Sequence, residues 1–505
     1  MSLLRRLAAL SCLPALALAS PVQAGKADDT LRIVWRTSIP NIDPHHNNLR
    51  EGVVVAKLVW DTLIDKDTAT GAFMPLLATS WRWVDDKTLD MDLRQGVTFH
   101  NGDSFSADDV VYTLNYIADP NSKISNPNGG SWIDKAEKTG DYSVRIHCKN
   151  PFPAALEYLA GPIAIYPAAY HKKMGPEGMG QRPVGSGPYK ITEINGVNRY
   201  LMERNESYFG GGHKGRAKIG RIELRVVNDP ATELAEMISG KADWVWKFNA
   251  DQIAKLNTLP NVRATLDESM RIGFIGINIV AQPNSPLSNV KVRQAMNYAI
   301  NKDSLVKNLV QGKARAIDAA CYPEQFGCIQ SAAVKYAYDP DKAKALLAEA
   351  GFPNGFSTTL VGFRSAQWTA AVQNDLAKVG IQAKTSIVQG ATLVDMFKAG
   401  DTQLAYWDWG SYSINDVSAV LPPYFADDGY DRSQDKEVAD LIRKGGAVVD
   451  EGQRKEFYGQ AIRLITERAY AIPLHTFVIP YAYNKDLDFR PYPDETPRFY
   501  EYGWK

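Results

Sequence analysis

Two lobes of mixed α/β structure, joined by a hinge of two crossing strands, are what this sequence predicts, and three observations predict them. Short β signals alternate with sharply punctuated helices along the chain, the pattern of α/β layers rather than of a bundle or a sandwich. At 505 residues the chain is too long for one ordinary core and divides into two or three units. Two apolar strand-like runs, residues 272–280 and 472–481, sit where the chain would leave one lobe near residue 271 and return near 474. Two such crossings let lobes close by changing a few backbone angles.

The N-terminus sets the expected compartment. Arg5 and Arg6 precede an apolar stretch at residues 7–19, and Val22-Gln23-Ala24 places small residues where a signal peptidase reads, so cleavage before Gly25 is expected. Cys12 lies inside this stretch, but Ala9-Leu10-Ser11 makes a poor lipobox. No later segment approaches the ~18 uninterrupted apolar residues of a membrane span. Losing two arginines leaves 55 basic against 57 acidic groups, a net charge of −2. That balance offers no electrostatic footprint for nucleic acid or anionic lipid.

The elements follow in order. Leu31-Arg32-Ile33-Val34-Trp35 reads as a first strand, and Thr88-Leu89-Asp90-Met91-Asp92-Leu93 alternates strictly as a half-buried one. Ser106 caps a helix with Asp109 in the capping-box position. Val292, Ala295, Met296, Ala299 and Ile300 form one buried helical face. Leu305, Val306, Leu309 and Val310 continue after a break, and Gly312 stops that helix. Asp339 caps another with Pro340 in its first turn and Gly351 at its end. A further helix runs from about Trp368 to Val379 and leads into alternating Ile381, Ala383, Thr385 and Ile387.

Motifs that would signal catalysis fail on inspection. Gly210, Gly212 and Gly215 spell a dinucleotide fingerprint, but no strand enters it and residues 218–227 after it read as a strand. Asp65, Asp67 and Gly71 imitate the start of a calcium loop, yet Thr70 stands where its turn glycine belongs, and a hairpin turn is the better account. Adjacent His45 and His46 make a poor metal pair, and no H-x-x-x-H, C-x-x-C or G-x-S-x-G occurs. No catalytic residue, metal or cofactor is therefore assigned. Cys321 and Cys328 flank Pro323 and Gly327 and are spaced to close a small loop in an oxidising compartment, two free thiols being the alternative; Cys148 reads as a buried hydrophobe.

What chemistry the sequence does offer centres on Tyr406-Trp407-Asp408-Trp409-Gly410-Ser411-Tyr412, which ends in the turn-like Ser413-Ile414-Asn415-Asp416. Core packing explains many Trp-x-Trp pairs. Rigid aromatics with interspersed donors at a strand end also suit a cleft that grips a small molecule.

Several stretches taken in order resemble the family 5 solute-binding proteins of ATP-driven importers. They are Asp43-Pro44-His45; Leu93-Arg94-Gln95-Gly96-Val97-Thr98-Phe99-His100-Asn101-Gly102 with Phe105-Ser106-Ala107-Asp108-Asp109-Val110; Pro183-Val184-Gly185-Ser186-Gly187-Pro188-Tyr189; Val292-Arg293-Gln294-Ala295-Met296-Asn297-Tyr298-Ala299-Ile300; residues 343–351; and Ile472-Pro473-Leu474. The resemblance spans the mature chain. It implies the two-lobed periplasmic binding protein fold: lobe 1 from 25–270 plus 475–505, with an inserted subdomain at approximately 53–185, and lobe 2 from 271–474. It further implies a non-enzymatic periplasmic monomer that buries a small solute between the lobes and delivers it to ABC transporter permease subunits in the inner membrane.

By the same resemblance, Trp407, Asp408, Trp409, Gly410, Ser411 and Tyr412 are ligand-binding, with Arg364, Gln367, Trp368 and Asn278 as further candidates. Peptide-binding relatives carry Trp-x-x-Asp in the aromatic segment, the aspartate pairing with the ligand's ammonium. Here Tyr412 holds that place and Val417 follows Asp416 where a proline is usual. Strand alternation turns Asp408 away from the face shared by Trp407 and Trp409, so it is a poor substitute. The expected cargo is a solute of the peptide/opine class richer in hydroxyl or carboxylate groups than a simple dipeptide. An oligosaccharide or nickel complex is the alternative, and a periplasmic hydrolase a more distant one.

Overall fold

The protein is described by a computed structural model covering residues 25–280, 285–363, 366–426 and 429–505. The expected signal peptide, residues 1–24, and Arg364 lie outside the described residues.

A ten-stranded mixed sheet runs through the molecule. In spatial order its strands are Ile381–Ile387, Phe356–Gly362, Leu404–Trp409, Val262–Ile277, Ala471–Asn484, Trp244–Trp246, Thr30–Trp35, Arg221–Val226, Arg199–Arg204 and Tyr189–Asn195. Val262–Ile277 and Ala471–Asn484 pair antiparallel, but their register shifts between Glu268 and Ile272 and again at Gly273. On one side of that break the pair continues into Trp244–Trp246; on the other, Ile272–Ile277 pairs with Leu404–Trp409. Such irregularities bend and twist a strand, and the sheet changes lobes there. Both strands are longer than the apolar runs that announced them, because Val262-Arg263-Ala264 and Ala482-Tyr483-Asn484 continue the pairing with polar residues mixed in.

A separate four-stranded antiparallel sheet, Ala78–Trp83, Thr88–Leu93, Ser143–Cys148 and Ile133–Gly140, packs against the helix Ala107–Ala118. That helix starts with the capping box read from the sequence: Ser106 accepts from the Asp108 N–H, and Asp109 accepts from the Ser106 N–H at 2.9 Å. Its core of Leu89, Met91, Val110, Leu114 and Ile146 is distinct from the core of Trp35, Trp60, Trp244 and Tyr481 in the main sheet. The second lobe has two cores, around Tyr424 and Tyr458 and around Met296 and Leu376. Beyond Leu305 the expected helix becomes a π-helical stretch, Val306–Val310.

The helix Arg50–Val59 connects fold to site. Val54, Val55, Leu58 and Val59 pack into the core of the main sheet. The chain at Gly185 and Gly187 crosses the end of this helix so closely that a Cβ at Gly185 would lie 2.0 Å from the Val59 carbonyl oxygen. At Gly187 it would lie 2.5 Å from the Leu58 oxygen. The Pro-Val-Gly-Ser-Gly-Pro motif is therefore a packing device that fixes the helix. Gly185→Ala is expected to destabilise by about 1–3 kcal/mol, the usual cost of overpacking. Urea unfolding checks it, and a midpoint equal to wild type would show that the helix end yields freely.

Candidate functional site

A cavity of about 390 Å³ opens between the lobes, within the size range of small-molecule sites. The helix Arg50–Val59 presents Arg50, Val53, Ala56 and Lys57 to it, the face opposite the one it buries in the core. Residues 408–413 form the second-lobe wall. His45, Asn126, Glu157 and the 160–164 segment close another side, and Asp494, Thr496, Arg498 and Tyr500 complete the lining from near the C-terminus.

The second-lobe wall has an unusual backbone. Ser411, Tyr412 and Ser413 follow one another with φ of 49°, 50° and 65°. Left-handed non-glycine residues cost roughly 1 kcal/mol or more each and concentrate at functional sites. The turn projects Tyr412, which is 49% exposed, against the edge of Trp409 at a ring separation of 5.1 Å. Trp409 is held by an Nε1–H donated to the Ala419 carbonyl at 2.9 Å and by the ring of Tyr424. Past the turn, Ile414 packs into the core of the four-stranded subdomain, and the Asn415 N–H donates to Glu157 at 3.2 Å. Arg50 donates to the Ser413 hydroxyl, which in turn donates to the Asp494 carbonyl at 2.7 Å. The wall thus holds both Arg50 and Asp494 and the elements of the four-stranded sheet's core around the cavity.

Charge dominates the lining. Arg50, Lys57, Lys66, Lys214, Arg271 and Arg498 face Asp65, Glu157, Asp408 and Asp494. Arg271 bridges Asp408 and Glu495, its Nε lying 3.1 Å from Glu495, and Arg50 approaches the same Glu495 at 3.6 Å. Lys214 pairs with Asp61 at 2.9 Å, Arg498 with Asp494 at 2.7 Å, and Lys66 with Glu157. Burial opposes ionisation of Glu495, but the guanidiniums of Arg271 and then Arg50 overcome it and hold the carboxyl down at about 2. Burial, followed by the Arg498 charge, lowers the Lys57 ammonium to about 8.

The structure brings Asp408, Trp409, Gly410, Ser411 and Tyr412 together on the cavity. Trp407, Trp368, Asn278 and Gln367 do not line it. Trp407 is packed among Phe397, Tyr424 and Tyr430, over Gly276, where a Cβ would meet its Nε1 at 2.5 Å. Trp368 lies against Tyr406, His475 and Phe477. Asn278 is buried, its Nδ2 donating to the Phe397 carbonyl at 2.8 Å, and Gln367 is exposed on a helix.

Trp407 and Trp409 do share a strand face, both rings lying against Tyr424, with Asp408 turned to Arg271 instead, yet it is Asp408 and Trp409 that line the cavity. Leu404–Trp409 ends at the cavity, so Trp409 reaches it through the turn while Asp408 reaches it through Arg271 on the adjoining strand. Trp407, one step inside the strand, is left to the core. Cys321 and Cys328 form a disulfide, and Cys148 is a buried free thiol. No group of three or more His, Cys, Asp or Glu suited to a metal ion occurs among the described residues, and no described helix is long and apolar enough to cross a membrane.

Residues 72–431 match the model of the bacterial extracellular solute-binding proteins, family 5. The chain belongs to that family. The glutathione-binding protein GsiB of Escherichia coli O1:K1 is 30% identical over 498 residues, covering 94% of this chain and 95% of its own. The heme-binding protein A of Haemophilus influenzae is 27% identical over 452 residues, 82% of this chain and 81% of its own. The structure of HbpA2 from Haemophilus parasuis superposes with a TM-score of 0.83 at 25% identity, over 94% of this chain and all of that one. As a family 5 binding protein the chain has a two-lobed α/β fold and acts by holding a solute for an importer.

This binding protein's charged residues were mostly hidden from the sequence reading. Arg50, Arg271, Asp494, Glu495 and Arg498 belong to no motif, and Asp65 stands only in the rejected calcium-loop pattern. Lys57 carried a usable signal, a single cation inside the apolar run Val53-Val54-Val55-Ala56-Lys57-Leu58-Val59-Trp60, since a charge within such a run is rarely fully buried unless paired.

Proposed function

We propose that this family 5 protein is the periplasmic substrate-binding component of an ABC importer and captures a charged solute of the peptide/opine class between its lobes. Lobe 1 comprises residues 25–270 and 475–505, with an inserted subdomain at approximately 53–185, and lobe 2 residues 271–474. Asp408, Trp409, Gly410, Ser411 and Tyr412 contact the solute, while Trp407, Trp368 and Asn278 support the wall from behind. The permease reads the closed form, in which both lobes touch the ligand at once. The role involves no chemical transformation of the cargo.

One observation carries the choice of cargo: the cavity is lined by six Lys or Arg and four Asp or Glu side chains around Trp409 and Tyr412. All but Lys57 and Asp65 of these charges pair within the protein, and a neutral oligosaccharide leaves those two without counterparts in a desolvated cleft, which is costly. A solute bearing both ammonium and carboxylate groups matches them. The named ligands of similar proteins, glutathione and heme, both carry carboxylates.

A thermal-shift screen of the mature protein against di- and tripeptides, glutathione, opines, oligosaccharides and nickel–histidine tests the reading. A ligand at about 100 times its dissociation constant is expected to stabilise the fold by about 2.7 kcal/mol, with peptides, glutathione or opines giving the shift. Stabilisation by oligosaccharides alone would overturn the cargo class, and no shift with any solute would overturn the import role.

A further inference from the structure

The cavity's charges sort into pairs with two left over. Arg50, Lys66, Lys214, Arg271 and Arg498 each have a carboxylate partner within the protein. Among the described residues Lys57 has neither an ion-pair nor a hydrogen-bond partner. Of the acids on the lining, Glu157, Asp408 and Asp494 are paired. Asp65 is buried and accepts only the adjacent Lys66 N–H, at 2.8 Å. Lys57 and Asp65 stand on consecutive elements of the first lobe, the helix Arg50–Val59 and the strand Ile64–Lys66, and both line the same cavity. They are near enough for the Asp65 charge to act on the Lys57 ammonium, yet they form no ion pair.

An opposite pair held apart in a desolvated site is costly unless something completes it. What completes it is a ligand group carrying the reverse charges close together. An α-amino acid head has its ammonium and carboxylate on one carbon, whereas the two termini of an α-linked peptide stand on different α-carbons separated by at least one peptide bond.

Resting on the solute-binding reading above, we infer that Lys57 and Asp65 form a head-group subsite for a zwitterionic α-amino acid moiety, Lys57 receiving the carboxylate and Asp65 the ammonium. This places charge recognition on the first lobe. It also resolves the departure at Tyr412: the second-lobe wall need not supply an acid for a ligand amine, because Asp65 supplies one from the opposite side. Trp409 and Tyr412 are then free to pack on the rest of the solute. The surroundings of Lys57 favour such a guest. Burial is the main influence lowering its ammonium, and Arg498 and Lys214 add to it while Asp65 and Asp494 oppose them; an incoming carboxylate tips that balance back toward the charged form.

Titration calorimetry of the mature protein tests the subsite with γ-glutamylglycine, its N-acetyl derivative, its α-carboxamide and alanyl-alanine as probes. The wild type is expected to bind γ-glutamylglycine at least tenfold more tightly than any of the other three. Lys57→Met should abolish the preference over the α-carboxamide, and Asp65→Asn the preference over the N-acetyl form. Lys57→Arg should retain the first preference, which a merely structural role would not require, and urea midpoints of the unliganded variants check that they fold. Equal binding of the blocked probes by wild type, or retention of both preferences by the variants, overturns the subsite. If another solute class binds and neither variant alters its affinity, the subsite fails while the import role stands. If no solute of any class binds, the import role fails and takes the subsite with it.

Discussion

Replacing Arg271 by methionine is expected to destabilise the protein by about 3–5 kcal/mol, the loss typical of removing one partner from a buried ion pair. Arg271 stands at the register break where the strand Val262–Ile277 passes between lobes, and its guanidinium bridges Asp408 of the second lobe to Glu495 near the C-terminus. Both carboxylates are almost inaccessible, 7% and 5% exposed. Without Arg271, Asp408 loses the ion pair to Arg271, and among the described residues Glu495 keeps an ion pair with the more distant Arg50 at 3.6 Å.

The wild type carries a matching acid signature. Glu495 has its carboxyl depressed from the ordinary 4.5 to about 2, so the contribution of this group is fully present above pH about 4.5 and disappears as pH falls toward about 2. Its size is on the order of 3 kcal/mol, at about 1.36 kcal/mol per pH unit of displacement. In Arg271→Met that slope should flatten, because burial then pushes Glu495 back up. Arg271→Lys should fall between, retaining charge but not the fork that reaches both acids. Urea unfolding at pH 7 and pH 3 measures all three proteins. A loss under 1 kcal/mol with an unchanged acid slope would show that Asp408 and Glu495 find other counter-charges.

How far the sequence foretold this molecule depended on how local each signal was. The capping box at Ser106 and Asp109, the helix face of Val292 to Ile300 and the Pro340 start were all legible, because each is set by residues within a few positions. The crossing strands were legible as apolar runs. Their full length was not, since residues such as Arg263 and Asn484 extend them through pairing with distant partners. In the site, the aromatic segment was visible as composition, yet which tryptophan faced the cavity depended on where the strand stopped. Trp407 and Trp409 have similar local sequence, and only the left-handed turn at residues 411–413 separates a core residue from a cavity residue. The ion pairs were illegible for a stronger reason: Arg271–Glu495 and Lys214–Asp61 join residues more than a hundred positions apart, and charge in a sequence says nothing about its partner.

Trp409→Ala should produce the largest loss of ligand affinity of any single lining substitution, at least ~2 kcal/mol or about 30-fold, the range of buried aromatic anchors. The indole is fixed from behind by its hydrogen bond to Ala419 and by Tyr424, and from the front it meets the edge of Tyr412. It therefore offers a rigid apolar surface whose ordering cost is met in folding rather than in binding. Truncation removes that surface and leaves Tyr412, already 49% exposed and held in a left-handed conformation, without its neighbour. Trp409→Phe retains an aromatic face but not the Ala419 hydrogen bond, so it should recover most of the affinity. Tyr412→Ala, which deletes the more exposed ring, should lose less than Trp409→Ala. Calorimetric titration of the three variants with the solute that most stabilises wild type decides the order. If Tyr412→Ala proves the worse substitution, the exposed tip of the turn, rather than its anchored base, makes the dominant contact.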